Sequence, residues 1–232
     1  ADAAGRRSID GFVGEIAWRE FYASILAEFP SVLARSFRPE FERFPWASGE
    51  EAARLFATWR DGVTGYPIVD AGMRQLAREG WMHNRVRMIV ASFLTKHLLV
   101  DWRCGEELFR ARLADGDPAS NNGGWQWSAG CGTDAQPFFR IFNPVLQGER
   151  FDPEGAYVRR WVPELAAWRG AGKDLHAPWR SASPPPAYPA PVVDRNAYND
   201  WQPLTESTPV APAGDAVAAA KEAATDAAAA AE

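Results

Sequence analysis

Apolar residues recur at three- and four-residue spacing through most of the first 115 positions, and no stretch sustains an alternation of apolar and polar residues. A half-buried strand needs period two and a half-buried helix a period of about 3.6, so the pattern commits the chain to an all-α body. The first helix is predicted from about Phe12 to Phe29, ended by Pro30, with Phe12, Ile16, Ile25, Leu26 and Phe29 available for burial. A second spans about Glu50 to Arg60, and a third starts at Pro67 and stops at Gly80. A fourth, about Met82 to Leu99, places Val86, Ile89, Val90, Phe93, Leu94 and His97 on a core face. A shorter helix, about Glu106 to Leu113, leads into Asp115-Gly116-Asp117-Pro118, where Asp117 suits an N-cap and Pro118 a first helical position. The helix begun there sets Asn121 and Trp125 one turn apart on one side.

Composition changes at Ser181. Prolines cluster at 184–186, 189 and 191, and the last twenty residues are mostly alanine with scattered charges. Residues 1–180 are therefore expected to form one helical domain, and 181–232 a Pro-rich linker and a disordered Ala-rich tail that adds little to the core. Residues 181–232 carry seven acids against Arg195 and Lys221, which accounts for the whole net charge of −5. The first 180 residues then balance at 23 cations and 23 anions, and 21 of those cations are arginine. Arginine suits bidentate phosphate contacts and stacking on flat rings, although a high-GC genome would raise its use as well.

No run approaches the roughly 20 apolar residues of a membrane span, and the first thirty residues lack a basic segment followed by an apolar one. Two cysteines, Cys104 and Cys131, are too few for a disulfide framework and lack zinc-site clustering, which fits a cytoplasmic protein without a metal. The chain opens on Ala1 rather than Met and reaches a strongly patterned helix by Phe12, so part of a longer protein is expected upstream.

Four features go beyond a helical core. Glu15, Trp18, Arg19 and Tyr22 fall at i, i+3, i+4 and i+7, aligning an acid, two aromatics and a cation on one stripe. Asn121-Asn122-Gly123-Gly124 precedes Trp125-Gln126-Trp127, and two glycines inside a helix cost roughly 1 kcal/mol each unless something approaches the backbone closely. Amide, thioether and guanidinium groups interrupt an apolar helix in Trp81-Met82-His83-Asn84-Arg85-Val86-Arg87-Met88. Asp115 and Asp117 form an acidic turn. Each has an ordinary reading: core packing for a single Trp, a polar face paired with carboxylates, helix capping for the aspartates, a surface acid for Glu15.

Taken in order, these stretches, with Thr64-Gly65-Tyr66-Pro67-Ile68-Val69-Asp70 and Gly132-Thr133-Asp134-Ala135-Gln136-Pro137-Phe138-Phe139-Arg140-Ile141-Phe142-Asn143-Pro144, resemble the photolyase and cryptochrome family. The resemblance runs over about residues 10 to 180 and points to the cyclobutane pyrimidine dimer photolyases, class I-like. It implies a helical FAD-binding domain in which reduced flavin lends an excited electron to a dimer in UV-damaged DNA and recovers it afterwards. Asn121 then matches the asparagine facing flavin N5, Asp115 and Asp117 the acids near the flavin's polar edge and ribose, and Arg87 the arginine paired with Asp115. Trp18, Arg19 and Asn84 count among the flavin contacts as well.

On the DNA side, Glu15 resembles the glutamate that hydrogen-bonds the dimer, with Asn84 as its amide companion. Trp18, Met88 and Trp127 resemble the walls of a pocket for an extruded lesion, a mode of recognition for which photolyases are a standard example. Arg85 and Arg140 match phosphate contacts, and Trp125, Trp102 and Trp46 the relay that carries electrons to oxidised flavin. The family's N-terminal α/β antenna domain and the Ser/Thr-rich segment that grips the FAD phosphates do not occur here, so weak or absent FAD binding is expected of this chain alone. A monomer is expected. Three rivals stay open: a cryptochrome photoreceptor, a 6-4 photolyase whose histidine-rich motif this chain lacks, and a flavin-free helical DNA-binding scaffold.

Overall fold

The structure is a computed structural model that describes residues 3–135 and 140–193. Among these residues it is helical and contains no strand, as the periodicity requires. Five long helices and a sixth build the body: α1 (Ala3–Glu28), α2 (Gly49–Arg60), α3 (Pro67–Glu79), α4 (Asn84–Ser92), α5 (Trp102–Arg112) and α6 (Pro118–Ala129). Shorter helices α7 (Pro144–Phe151) and α8 (Ala156–Trp161) pack on α3. No helix among the described residues is long and apolar enough to cross a membrane.

Local chemistry sets most helix ends. Pro67 and Pro118 occupy first turns, where a missing N–H costs nothing. Asp117 Oδ2 accepts from Ser120 N at 2.7 Å and Asp101 Oδ1 from Arg103 N at 3.0 Å, satisfying N–H groups that have no partner within the helix. Gly80 and Gly130 end α3 and α6 in the left-handed region at φ 64° and 88°. The core is a single cluster around Trp59, Trp102, Phe93 and Leu94. Trp59 is fully buried and its Nε1 donates to Val90 O at 3.0 Å, which joins α2 to α4.

Four expectations need correction. The first helix begins at Ala3 rather than near Phe12, and it does not bury the residues set aside for burial. Phe12 is 69% exposed, Ile16 and Phe29 are exposed as well, and Ile25 and Leu26 are only half-buried. The fourth helix starts at Asn84, because His83 caps it through Nδ1, and gives way after Ser92 to a π-helical turn, Phe93–His97. Leu99 then takes φ 53°, so the chain leaves the helix by a bend and not by fraying. The fifth helix starts a full turn early, at Trp102.

The fourth correction concerns the Pro-rich segment. Residues 183–193 lie on the body, and Tyr188 is only 7% exposed. Its phenol donates to the buried carboxylate of Asp70, which also accepts from Thr64 N at 2.8 Å, Thr64 Oγ1 at 2.6 Å and Gly65 N at 3.1 Å. Val192 N donates to Thr64 O at 2.9 Å, and Tyr66 Oη to Val193 O at 3.1 Å. Gly65 sits at φ 80° with Ala190 against it, so a β-carbon would lie 2.5 Å from the Ala190 carbonyl. A buried acid with four donors has replaced the expected loose linker. The tail expectation for 194–232 lies outside the described residues.

Candidate functional site

Helix α6 packs against α1, α4 and α5, and the space left between α1 and α4 is a cavity of about 400 Å³. Glu15, Trp18 and Arg19 line it from α1, and Asn84, Arg87 and Met88 from α4. Asp115 and Asp117 line it from the turn before α6, with Asn121, Trp125 and Trp127 from α6 itself. Eleven of the fifteen predicted site residues therefore share one space, although they come from three helices and a turn.

Backbone geometry explains how α1 reaches the site. Tyr22 lies directly on Gly123, where a β-carbon would come within 2.1 Å of the Tyr22 ring. Trp18 stacks on Tyr22 at 5.9 Å between centroids, so the Gly123 contact fixes the aromatic stripe of α1 over α6. Gly124, the second glycine, has nothing within 4 Å of its hypothetical β-carbon and lines the cavity. The pair thus serves two purposes. One glycine admits a neighbouring helix and the other leaves room for a ligand.

Polar groups around the cavity divide into committed and free. Arg87 is held by Met82 O at 2.7 Å and by both oxygens of Asp115 at 2.9 and 2.8 Å, so the predicted Arg87–Asp115 pair forms. Asn121 Nδ2 donates to Glu106 O at 3.0 Å, which leaves its Oδ1 as an open acceptor. Glu15 and Asn84 make no side-chain hydrogen bond or ion pair among the described residues, a free acceptor and a free amide on two different helices. Neither is explained by packing.

Four predicted residues lie outside the cavity. Trp102 is fully buried at the start of α5, with the Arg103 guanidinium 4.8 Å from its ring. Trp125 rests on Gly105, one turn along the same face of α5 from Trp102, since a β-carbon on Gly105 would lie 2.1 Å from the indole. Trp46 is buried beside Phe44, and its loop is pinned by Ala47 N donating to Leu99 O at 2.8 Å, near the entry to α5. Arg85 sits next to Asn84 with its guanidinium 4.8 Å from the Phe151 ring. Arg140 is exposed and makes no ion pair among the described residues. Tyr22, Phe109 and Leu113 line the cavity without having been singled out as a ligand-facing wall. Phe109 and Leu113 carry no signal of their own in the sequence, since an apolar pair at i, i+4 reads as core.

The cavity fits the ring end of a flavin. It is flat-walled through Trp125 and Phe109, opens at Gly124, and offers an acceptor, Asn121 Oδ1, and a cation, Arg87. Its charged lining consists of two arginines and three acids.

Comparison with known proteins places these residues in a family. A family model described as the FAD binding domain of DNA photolyase matches residues 12–201. The deoxyribodipyrimidine photo-lyase of Halobacterium salinarum is 51% identical over 197 residues, covering 82% of this chain and 40% of that protein. The enzyme of the same name from Escherichia coli is 51% identical over 197 residues, covering 81% and 41%. Among solved structures, a bacterial class III photolyase from Agrobacterium tumefaciens matches with TM-score 0.77 at 44% identity, covering 97% of this chain and 45% of its own. A cryptochrome from Synechocystis sp. PCC6803 matches with TM-score 0.74 at 37% identity, covering 82% and 40%. The chain spans about two fifths of the length of these curated relatives. With the fold, the cavity and the family match in agreement, the chain belongs to the family of photolyase FAD-binding domains.

Proposed function

We propose that this chain is the flavin-ring and lesion-binding part of a photolyase that repairs cyclobutane pyrimidine dimers in DNA under light. The observation that carries the reading is the shared cavity of Glu15, Trp18, Asn84, Met88 and Trp127. A flavin alone has no need of a free carboxylate and a free amide set among apolar walls on the open side of its ring. An extruded pair of fused pyrimidines needs all of them: aromatic and thioether surfaces for its faces, and Glu15 and Asn84 for its polar edges.

Bound FAD would supply a light-excited electron and take it back. The protein's part is to bind, orient and exclude water. Arg87, held in place by Asp115 and Met82 O, sets its guanidinium beside the ring site, and Asn121 presents an acceptor fixed by Glu106 O. Glu15 accepts from the dimer's bases, and Trp18, Met88 and Trp127 shield it from solvent. Arg85 and Arg140 contact strand phosphates, which suits a reader of damage in arbitrary sequence.

Trp125, Trp102 and Trp46 act as the relay to oxidised flavin. Buried tryptophans usually donate their indole N–H to an acceptor, as Trp59 does to Val90 O. The Nε1 atoms of Trp125 and Trp102 are buried and meet no acceptor among the described residues.

The test uses the full-length protein with FAD. Glu15→Ala should leave the flavin absorption spectrum and the affinity for dimer-containing DNA within a few-fold of wild type, while lowering repair per absorbed photon at least several-fold. Full repair by this variant would refute the lesion assignment. Absence of repair by the wild-type protein, with normal flavin photoreduction, would favour a cryptochrome.

A further inference from the structure

One guanidinium fastens the stretch that leads to Trp46 onto the start of α5. Arg103, the second residue of α5, donates from Nε to Ala34 O at 3.0 Å, from Nη1 to both oxygens of Asp101 at 3.3 and 3.1 Å, and from Nη2 to Glu42 Oε1 at 2.8 Å. Glu42 in turn accepts from Ser36 N. Ala34, Ser36 and Glu42 all lie between α1 and α2, upstream of Trp46, and Asp101 is the buried N-cap directly ahead of Trp102. Arg54, Arg60 and Arg110 pair with acids of their own neighbourhood at the surface, where such bonds contribute little. The Arg103–Glu42 pair instead spans 61 positions, and its arginine side chain is only 16% exposed. A shielded network of this reach fixes one segment on another.

The same guanidinium lies 4.8 Å from the ring of the fully buried Trp102. Trp46 packs on Phe44 at 4.2 Å between centroids, and Ala47 N donates to Leu99 O at 2.8 Å. Trp46 is thus held from both sides, by a backbone bond one residue after it and by Arg103 through Glu42 shortly before it. Charge adds to position. A cation beside an indole is attracted to the neutral ring and repelled by a ring that has lost an electron. The ion pair sets its positive end at Trp102 and its negative end on the stretch leading to Trp46, while Asp101 holds the guanidinium from the cap and tempers its charge.

We propose that Arg103 and Glu42 are positioning residues for the outer step of the tryptophan relay: they set the gap between Trp102 and Trp46 and bias an electron vacancy to leave Trp102 outward. This rests on the relay assignment made above. In that step one electron passes from Trp46 to Trp102, filling the vacancy left when Trp102 has given one inward. No bond is made or broken. The oxidant is light-excited oxidised flavin, and a thiol in solution restores the electron to Trp46. Electron transfer between rings slows steeply as their gap widens, so a clamp on the Trp46 stretch acts on this step and not on the chemistry of the cavity. Arg103 touches neither the flavin site nor the lesion walls and acts through Trp102.

The experiment is flash photolysis of the full-length protein with oxidised FAD, followed by steady photoreduction with dithiothreitol. Glu42→Ala should lower several-fold the yield of reduced flavin that outlives charge recombination, with a matching loss of photoreduction rate. Repair of a thymine-dimer duplex by the same variant with chemically reduced FAD should stay at the wild-type level, which a general loosening of the fold would not allow. Glu42→Gln keeps an acceptor for Arg103 without the charge and should show a smaller drop. If Glu42→Ala does not fold, Glu42→Gln decides on the same readout, and no drop overturns the proposal. In a Trp46→Phe background, Glu42→Ala should change nothing further. Unchanged yield in Glu42→Ala, with photoreduction still blocked in Trp102→Phe, would overturn the clamp and leave the relay standing. Normal photoreduction in Trp102→Phe would refute both. An equal loss of repair and photoreduction in Glu42→Ala would make the pair a plain structural tie and overturn the proposal as well.

Discussion

Glu106 offers a quantitative test of how the floor of the site is held. Its backbone carbonyl accepts from Asn121 Nδ2 at 3.0 Å and its carboxyl from Asn122 Nδ2 at 3.1 Å, so one residue of α5 fixes both amides of α6. Burial pushes the carboxyl up from 4.5 to about 7, aided by Glu107 and opposed by the Asn122 bond and by Arg110 and Arg103. The folded state therefore binds this proton more tightly than the unfolded chain. Its contribution to stability is complete below pH 4.5 and is lost as pH rises through about 7. At about 1.4 kcal/mol per pH unit the displacement corresponds to about 3 kcal/mol, or about 2 kcal/mol after allowance for the solvent this side chain still meets. Glu106→Gln keeps an oxygen for Asn122 and cannot ionise. Urea unfolding followed by tryptophan fluorescence should show the variant level with wild type near pH 4.5 and about 2 kcal/mol more stable near pH 8, with an unchanged m-value. Other titrating groups cancel in the difference. If the variant were equally destabilised at both pH values, the carboxylate would be an anion held by Asn122 and the arginines, and the reasoning would fail.

Two further predictions separate packing from ligand space. Gly123→Ala drives a methyl group into the Tyr22 ring and should destabilise the chain by about 1 to 3 kcal/mol in the same unfolding assay, whereas Gly124→Ala should be neutral or stabilising by up to about 1 kcal/mol. In the full-length protein only Gly124→Ala, which adds a methyl to the cavity, should weaken FAD binding without lowering stability; equal effects of the two variants would contradict the division. Tyr188→Phe removes one of four donors to the buried Asp70 carboxylate and should cost about 1 to 3 kcal/mol, read as a lowered thermal midpoint, and an unchanged midpoint would mean the Pro-rich segment does not need this bond.

The sequence was most legible where a single residue decides the local backbone. Pro67, Gly80, Asp117 and Pro118 place the ends of α3 and the start of α6 because cap chemistry acts within one turn. The apolar stripe of α1 was misread for a physical reason: periodicity tells which face seeks burial, not whether the covering partner lies in the same stretch of chain. Phe12 has no such cover among the described residues. Composition misread the segment after Ser181, because proline density reports an average, while Tyr188 and Asp70, 118 positions apart, set the outcome through one bond.

Helix α6 shows most clearly why the site itself was legible only through its family pattern. Asn121, Gly124 and Trp125 face the cavity, and Gly123 admits Tyr22 of α1. Asn122 and Gln126 donate to Val32 O, each at 3.0 Å, and Gln126 Oε1 accepts from Phe37 N at 2.8 Å, fastening the turn that follows α1. Ala129 O accepts from the buried Lys96 at 2.6 Å. Every side of the helix is engaged, half of it by polar groups, so no apolar stripe develops and hydrophobic periodicity passes over it. A helix that buries polar side chains has to have each amide answered by a partner. Here the amide that contacts the cavity is answered on its donor side by Glu106 O, and its acceptor, Asn121 Oδ1, is left to face the cavity.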